Sequence, residues 1–502
     1  MENNSPQLQS PSSHCESSNY HNMVAPQLQN SLQGAPWTVL KFGGTSVGKF
    51  LDEICGVVAR AQNEGQVAVV CSARSSDVKA CGTTSRLLRA AEEVLQQERH
   101  HTKTVNEILE DHLASAHRFI RSPEILSKLE KELKAECKAL ESFLDALFVI
   151  KEVSPRTKDV IVGTGEKLAC RIVAAALVDQ GHSAEMISME SVCSSEFTGL
   201  EQPFYDHLAI RFREALKNCS ATIPVITGFF GAVPGGLLGT IGRGYSDLTA
   251  ALVAVGLEAK ELQIWKEVDG IFTADPRKVT SARLLPTISP EEASELTYYG
   301  SEVIHPFTME QVMRASIPIR ILNVQNPSGE GSLILPSSET LPELLQSGAQ
   351  SSRHPTAVTI KENISILNIH SNNKSVSHNF LASIFSILDS HNIVVDLIAT
   401  SEVHVSTAIP SSTNLEPVLA KMRNFGNVHL VENMCILSLV GRQMRNMVGV
   451  SAQMFSTLAN ANINIEMISQ GSSEINISCV INQSHSLLAL NEIHRNLLEW
   501  QS

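Results

Sequence analysis

Several features are missing from this sequence, and each absence excludes a class of protein. No run of about 18 apolar residues occurs, so no membrane-spanning helix and no membrane partner are expected. None of the ten cysteines forms a C-x-x-C pair, which favours reduced thiols and a cytoplasmic location. The sequence also lacks the His/Cys spacing of a zinc site and the G-x-S-x-G turn of a serine hydrolase.

Positive charge is also scarce, and where it is missing is informative. The 502-residue chain carries a net charge of −13 and has no basic stripe, so nucleic acid is not an expected partner. Residues 1–36 contain neither Lys nor Arg, which argues against a transit peptide. The same segment is rich in Ser, Asn, Gln and Pro, and we predict a disordered tail because it cannot form a core.

The segment 37–335 has the pattern of an α/β domain. A short apolar strand at 38–40, a glycine-rich turn, an apolar-periodic helix over about 47–61 and a second strand at 66–70 form a βαβ unit. Further buried strands are predicted at 222–227, 262–265 and 317–322, with helical patterns between them, including a long charged stretch over about 102–147. This alternation predicts a three-layer α/β/α domain with helices on both faces of the sheet.

The C-terminal part of the chain is an internal duplication. A linker rich in Pro, Ser and Gly is predicted at 336–356. Beyond it, IFSIL at 384–388 matches MFSTL at 454–458 at a shift of 70 positions. We therefore predict two ferredoxin-like βαββαβ units, at 357–432 and 433–502.

A glycine loop at 41–50, KFGGTSVGKF, follows the first strand. Gly43, Gly48 and Lys49 have the spacing of a P-loop, but Phe50 stands where that motif needs a Ser or Thr hydroxyl for magnesium. Glycines between a strand and a helix can still present backbone N–H groups to a phosphate, with Lys41 beside them. An ordinary tight turn with a surface lysine remains the alternative for this motif alone.

Three later loops also carry candidate functional residues. GTGE at 163–166 opens a predicted helix, and Glu166 either complements that helix dipole or binds a cationic amine. In GRGYSDLT at 242–249, either of the two residues at 246–247 is a plausible N-cap, and the arginine can bind a carboxylate. The alternative there is a flexible hairpin with a capping Asp. KEVDGIFTADPR at 266–277 follows a strand, where open α/β sheets bind ligands.

Taken together, these motifs resemble the aspartate kinases of the amino acid kinase family. KFGGTSVG at 41–48, GTGEKL at 163–168, GRGYSDLTAAL at 242–252, KEVDGIFTADPR at 266–277 and YGSEVIHP at 299–306 occur in the family's order. The duplicated unit resembles that family's paired ACT domains. Because the chain stops after the second unit, it resembles the monofunctional, fungal-type enzymes.

The resemblance implies a reaction and a set of site residues. The reaction is phosphorylation of the side-chain carboxylate of L-aspartate by ATP, with Mg²⁺ arriving on the nucleotide and no metal site in the protein. The P-loop spacing is then coincidental. The implied catalytic residues are Lys41, Arg243 and Asp247. The implied substrate-binding residues are Thr84, Glu166, Arg243 and Ser246, and the implied nucleotide-binding residues are Lys41, Gly43, Gly44, Lys266, Glu267, Phe272 and Arg277.

The nucleotide side departs from the best-known bacterial pattern at several positions. Lys266 and Glu267 replace T-D, and Phe272 replaces a tyrosine. Glu302 stands where that pattern has a lysine, so it is not assigned to ATP, because an acid cannot make the same phosphate contact.

The ACT-like pair implies regulation by a small amino acid. Ser377, Asp396, Ser401 and Glu402 match the family's effector-contact positions, and threonine is the implied inhibitor. A homo-oligomer through the ACT domains is also implied. The alternatives are a dimerisation module without an effector, a kinase for glutamate, N-acetylglutamate or UMP, and a sensor without catalysis.

Overall fold

The structure is a computed structural model. It describes residues 35–76, 78–96, 99–193, 197, 199–219, 222–242, 244–298, 304, 306–336, 354–371, 380–401, 403–411, 415–442, 444, 447–470 and 475–499. Nearly all of the predicted tail at 1–36 and most of the predicted linker at 336–356 lie outside the described residues, and both stay predictions. No helix in the described part of the chain is long and apolar enough to cross a bilayer.

An eight-stranded sheet forms the centre of the N-terminal part, in the order β3-β4-β2-β1-β5-β7-β8-β6. All neighbours are parallel except β7 and β8. The strands are β1 Trp37–Phe42, β2 Gln66–Cys71, β3 Ala184–Ile187, β4 Ile223–Thr227, β5 Glu261–Lys266, β6 Thr287–Ile288, β7 Ile319–Asn323 and β8 Ser332–Ile334.

Helices cover both faces of this sheet. Because side chains alternate along a strand, Val39 joins one apolar core and Leu40 the other. The predicted three-layer α/β/α fold is confirmed. The helices are α1 Gly44–Lys49, α2 Leu51–Glu64, α3 Thr83–Glu93, α4 His100–Phe119, α5 Pro123–Ile150, α6 Pro155–Asp179, α7 Gln202–Leu216, α8 Leu237–Thr240, α9 Tyr245–Gly256, α10 Pro290–Tyr298 and α11 Pro306–Arg314.

Two helical segments are divided where the sequence pattern suggested continuity. The helix predicted over about 47–61 is divided between α1 and α2 at Phe50, whose backbone (φ −119°, ψ 44°) leaves the helical region. The charged stretch over 102–147 forms α4 and α5, and Pro123 occupies the start of α5, where its missing N–H costs nothing.

A six-stranded antiparallel sheet forms the C-terminal part, in the order β10-β11-β9-β12-β14-β13. Its strands are β9 Ala357–Ser371, β10 Leu397–Thr400, β11 His404–Pro410, β12 Gly426–Val440, β13 Met467–Ser469 and β14 Asn476–Asn482. Its helices are α12 Phe380–Ser390, α13 Glu416–Met422, α14 Val450–Asn460 and α15 Ser486–Ile493, followed by a π-helical turn, His494–Leu498.

Each half of this sheet has four strands and two helices, as the predicted ferredoxin-like units require. Two strands are shared between the halves, since β9 and β12 pair along almost their full length, from Ala357 with Val440 to Ser371 with Gly426. The start of β9 packs in the core of α14 and α15, whereas Leu367 and Ile369 pack with α12 and α13. Residues 357–361 therefore pack with the second half, although they stand at the start of the first predicted unit in the sequence. The sequence boundaries of the two units stay predictions.

Candidate active site

A cavity of about 520 Å³ lies at the carboxyl edge of the parallel strands. Lys41 reaches it from the end of β1, and Lys266 reaches it from the end of β5, the strand adjacent to β1. Thr84 of α3, Glu166 of α6 and Asp247 of α9 also line the cavity, so the lining contains both positive and negative side chains. The carboxyl edge of a parallel sheet is where such folds bind ligands, because helix N-termini and loops converge there.

A buried ion pair forms part of the cavity wall. The Nζ atom of Lys41 lies 2.5 Å from Oδ1 of Asp247, and the two side chains are only 8% and 11% exposed. Lys41 is held by β1, which pairs with β2 on one side and β5 on the other. Because both charges are largely desolvated, the carboxylate fixes the position of the ammonium.

The first turn of α9 supplies two side chains to the cavity. The sequence predicted Ser246 or Asp247 as the N-cap, and this was wrong: α9 begins at Tyr245 and Gly244 is the cap. Residues 246 and 247 are inside the helix, so their side chains are available to the cavity. Ser246 Oγ lies 2.7 Å from Ser72 Oγ, which ties α9 to the loop after β2.

The GTGE motif lies in the middle of α6, and the prediction that it opens a helix was wrong. Its glycines allow close packing instead of a turn. A Cβ atom on Gly163 would lie 2.3 Å from the ring of Phe229, and one on Gly165 would lie 3.0 Å from Cβ of Ala73. This close approach of α6 to the strand ends places Glu166 in the cavity.

Burial dominates the electrostatics of Glu166. The residue is 2% exposed, and its Oε2 atom has no hydrogen-bond partner among the described residues. Desolvation raises the pKa of Glu166 to about 8, against the opposing effects of the Tyr245 hydroxyl, the Phe229 backbone and the Lys41 charge. The site therefore contains a carboxyl group that gains from a cationic partner.

The glycine loop brings the backbone close to Lys41. Gly43 is the residue before α1. A Cβ atom on Gly43 would lie 4.0 Å from Nζ of Lys41. Gly44 lines the cavity, and a Cβ there would lie 2.4 Å from the carbonyl oxygen of Ala73. Only a residue without a side chain fits at position 44, because the two loops approach each other closely there.

The two adjacent threonines of α3 have different environments. Thr84 lines the cavity. Thr83 is 2% exposed, and its methyl group faces Gly165. The geometry therefore offers the Thr84 hydroxyl, not that of Thr83, to a bound molecule.

Sequence reasoning missed several residues that line the cavity. Ser72 and Arg74 follow β2, Tyr245 begins α9, and Thr297 comes from α10. A polar residue directly after a buried strand is a usable signal, and Ser72 fits it. Thr297 carries no such signal, because only the packing of α10 brings it to the site.

The predicted nucleotide-side residues divide into two groups. Lys266 lines the cavity, and Glu267 accepts a hydrogen bond of 2.6 Å from Ser46 Oγ in α1. Phe272 is half-buried in a bridge with Leu284, outside the cavity lining that the structure describes. Arg277 also lies outside that lining: its side chain is 86% exposed and forks onto Asp275, with N–O distances of 3.0 and 2.9 Å.

The remaining predicted residues differ in whether the structure describes them. Arg243, Glu302, Ser377 and Glu402 lie outside the described residues. Of the predicted effector residues that are described, Asp396 is buried and forms an ion pair with Lys361, and Ser401 is exposed. Across the described ranges, no group of three or more His, Cys, Asp or Glu side chains could hold a metal ion.

Two family models match the chain. The amino acid kinase family matches residues 36–323, and an ACT domain matches residues 437–497. The chain is 51% identical over 496 residues to the aspartokinase of Schizosaccharomyces pombe, covering 95% of each chain. It is 49% identical to the aspartokinase of Saccharomyces cerevisiae, covering 92% of this chain and 93% of that one.

The chain belongs to the aspartate kinases of the amino acid kinase family. As a kinase it uses ATP. A crystal structure of Escherichia coli aspartokinase III in complex with aspartate and ADP, described as the R-state, is 28% identical, with a TM-score of 0.73. The match covers 92% of this chain and 100% of the E. coli chain. The T-state of the same enzyme, in complex with lysine and aspartate, matches with a TM-score of 0.74.

Proposed function

We propose that this enzyme transfers the γ-phosphoryl group of ATP to the side-chain carboxylate of L-aspartate, producing 4-phospho-L-aspartate and ADP. The observation that carries the proposal is the buried pair of Lys41 and Asp247 beside the partly unsatisfied carboxyl of Glu166. The R-state structure of the E. coli relative, which binds aspartate and ADP, supports the same ligands here.

The chemistry needs charge neutralisation rather than a base. An aspartate side chain has a pKa near 4, so at neutral pH the nucleophile is already ionised. The difficulty is to bring this anion onto an anionic phosphoryl group. Lys41, positioned by Asp247, supplies positive charge where the two anions meet, and burial strengthens its effect.

The substrate backbone is proposed to bind between α6, α3 and α9. Glu166 accepts the α-ammonium, Arg243 binds the α-carboxylate, and Thr84 and Ser246 donate hydroxyl hydrogen bonds. A free α-amino acid suits this set. An acetylated amine carries no charge, so it would not stabilise the ionised form of the buried Glu166 carboxyl.

The nucleotide phosphates are proposed to lie over the glycine loop. Backbone N–H groups of Gly43 and Gly44 and the N-terminus of α1 face them, with Lys41 and Lys266 as cations. Magnesium is proposed to arrive on the ATP phosphates and to neutralise part of their charge. Phe272 and Arg277 have less support as nucleotide contacts, given their positions outside the cavity lining.

Trapping the product tests the proposed reaction. Purified enzyme with MgATP and L-aspartate should release ADP and, with hydroxylamine present, form a hydroxamate, because hydroxylamine captures acyl phosphates. Glutamate, N-acetylglutamate and UMP form the comparison panel. ADP release with one of these and not with aspartate would replace the proposed substrate, and no turnover with any of them would favour a non-catalytic sensor.

The raised pKa of Glu166 predicts a pH dependence of substrate binding. Below pH 8 the carboxyl is mostly neutral in the free enzyme, and binding an ammonium requires its ionised form. The KM for aspartate should therefore fall as pH rises from 6 towards 8, by about tenfold per unit at most. Calorimetry at pH 7 in buffers of different ionisation enthalpy should show proton release on binding. Binding without proton release would contradict this role.

Regulation by an amino acid is the second part of the proposal. We propose that threonine binds at Asp396 and Ser401, together with Ser377 and Glu402, and shifts the enzyme towards a low-activity state. The T-state structure of the E. coli relative, which contains lysine, supports an amino acid effector in this family. The pathway would be the cytoplasmic route through homoserine to threonine, methionine and isoleucine, in a homo-oligomer joined through the ACT domains.

Replacing Asp396 by Ala should relieve this inhibition. Its side chain is 1% exposed, so it can offer a desolvated carboxylate to an effector's ammonium. We expect the threonine concentration for half-inhibition to rise about tenfold or more. Initial rates with and without threonine, compared within each variant, measure the effect. Equal sensitivity in D396A and the wild type would remove Asp396 from the effector site.

A further inference from the structure

Helix α10 contacts both the active-site cavity and the ACT sheet. Thr297, near its C-terminus, lines the cavity. At its N-terminus, Ser289 and Glu292 bond reciprocally: Ser289 Oγ accepts the Glu292 N–H over 3.3 Å, and Glu292 Oε2 accepts the Ser289 backbone N–H over 3.2 Å. This capping box fixes the start of the helix. A displacement of α10 would therefore move Thr297 and change the cavity wall.

The same helix is bonded to residues beyond the kinase sheet. The buried carboxylate of Glu292 accepts hydrogen bonds from the Thr356 hydroxyl at 2.6 Å and from the backbone N–H of Arg442 at 2.9 Å. Glu295 accepts a hydrogen bond from Asn476 in β14. These contacts join α10 to the ends of β9, β12 and β14, three neighbouring strands of the six-stranded sheet.

The last residue of α10 contacts the proposed effector site through one lysine. The Nζ atom of Lys361, in β9, lies 5.1 Å from the centre of the Tyr298 ring. The same Nζ lies 2.7 Å from Oδ1 of Asp396. The Lys361 ammonium therefore makes both a cation–π contact with Tyr298 of α10 and an ion pair with the Asp396 carboxylate.

Asp396 is arranged for a cation. Its side chain is 1% exposed, and its Oδ2 atom has no hydrogen-bond partner among the described residues. A buried carboxylate is costly unless it is paired, and Lys361 now supplies the charge. The lysine side chain itself is 28% exposed, so it can reach solvent when another ammonium takes its place.

We propose that Lys361 is a built-in occupant of the effector site. The α-ammonium of a bound amino acid replaces the Lys361 ammonium at Asp396, and the displaced lysine also leaves Tyr298. The loss of that contact changes the anchoring of α10 and so the cavity wall at Thr297. This inference rests on the proposed regulation through Asp396.

The mechanism separates effector affinity from inhibition. Lys361 competes with the effector, so it lowers the effector's affinity. Lys361 also connects effector binding to α10. An effector that does not move Lys361 away from Tyr298 has no differential effect on α10. Removing the lysine should therefore make binding tighter and inhibition weaker, a combination that a general disturbance of the site would not produce.

The Lys361→Met variant tests both consequences. It keeps the aliphatic stem and removes the charge. We expect threonine, measured by calorimetry on the full-length enzyme, to bind on the order of fivefold more tightly than to the wild type. The maximal inhibition of ADP release by saturating threonine should fall to less than about half of its wild-type extent. Binding that is unchanged or weaker, or inhibition that stays complete, would overturn the proposal.

Two further variants keep the test decisive. Tyr298→Leu removes the ring but not the ion pair, so threonine affinity should change less than about twofold while inhibition weakens; full inhibition in this variant would also overturn the proposal. Lys278→Met is the matched control, because Lys278 pairs with Glu362 of the same strand at 2.6 Å and is similarly exposed, at 33%. Its threonine binding and inhibition should equal those of the wild type.

The failure of the regulation itself would look different. If the wild type binds none of threonine, lysine or methionine, the proposed effector role of Asp396 fails, and the role of Lys361 fails with it. If the wild type binds threonine and K361M behaves like it, only the role of Lys361 fails.

Discussion

Lys41→Met should lower kcat/KM for aspartate by about 10³-fold or more, because it removes the cation where two anions meet. The effect depends on burial, because the Lys41 side chain is only 8% exposed and its charge is weakly screened by solvent. Formation of the hydroxamate, with the ADP-release rate as a second readout, measures the loss. Acyl-phosphate production at the wild-type level would refute the proposed site.

Lys49→Met is the matched control for this prediction. Lys49 has the spacing of a P-loop lysine, but it lies at the end of α1, outside the described cavity lining. K49M should retain activity within about twofold of the wild type, because the Lys49 side chain is not among the described side chains that line the cavity. A large loss in K49M with a small one in K41M would restore the P-loop interpretation.

Stability must be separated from activity in the Lys41 variant. Removing Lys41 leaves Asp247 buried without its cation, which should cost about 3 kcal/mol of unfolding free energy. The double variant Lys41→Met with Asp247→Asn should recover most of that stability, measured by thermal unfolding, without recovering activity. Recovery of activity in the double variant would mean that the single variant failed only by unfolding.

Glu166→Gln should raise the KM for aspartate about 100-fold, with a smaller effect on kcat. The amide is nearly isosteric but cannot neutralise an ammonium, and the buried position excludes water as a substitute. The change should also abolish proton release on aspartate binding, because the group with a pKa of about 8 is gone. Initial rates over a range of aspartate concentrations separate the KM and kcat effects.

Glu190→Gln is the control for the Glu166 variant. Glu190 pairs with Lys167, the residue after Glu166, but its own side chain is 41% exposed. Its aspartate KM should stay within about twofold of the wild type. If E190Q and E166Q raise KM equally, the effect belongs to the packing of α6 rather than to amine binding.

The strands of the kinase sheet were predictable because they are short apolar runs buried on both faces. The strand predictions at 66–70, 222–227 and 262–265 agree with β2, β4 and β5 to within a residue or so. The position of Lys41 at the end of the first strand was also predictable from that strand, whereas its role stays a prediction. These predictions depended only on the local sequence and not on contacts between distant segments.

The glycines of GTGE show where sequence reasoning failed. Two glycines in four residues usually indicate a loop, yet Gly163 and Gly165 lie inside a 25-residue helix. Their lack of side chains is required by Phe229 and Ala73, which lie on distant segments. The N-cap of α9 was misplaced for a related reason: polar side chains at 246 and 247 serve the cavity and not the helix end.

By itself, the sequence determined the family, the α/β order of the elements, the duplication and the lysine at the strand end, because these depend on local pattern and motif. Only the tertiary structure decided that Glu166 faces the cavity from the middle of a helix, that β9 serves both ACT-like halves, and that Lys361 joins Asp396 to Tyr298. These features depend on which distant surfaces come within contact distance, and that depends on how the whole chain packs.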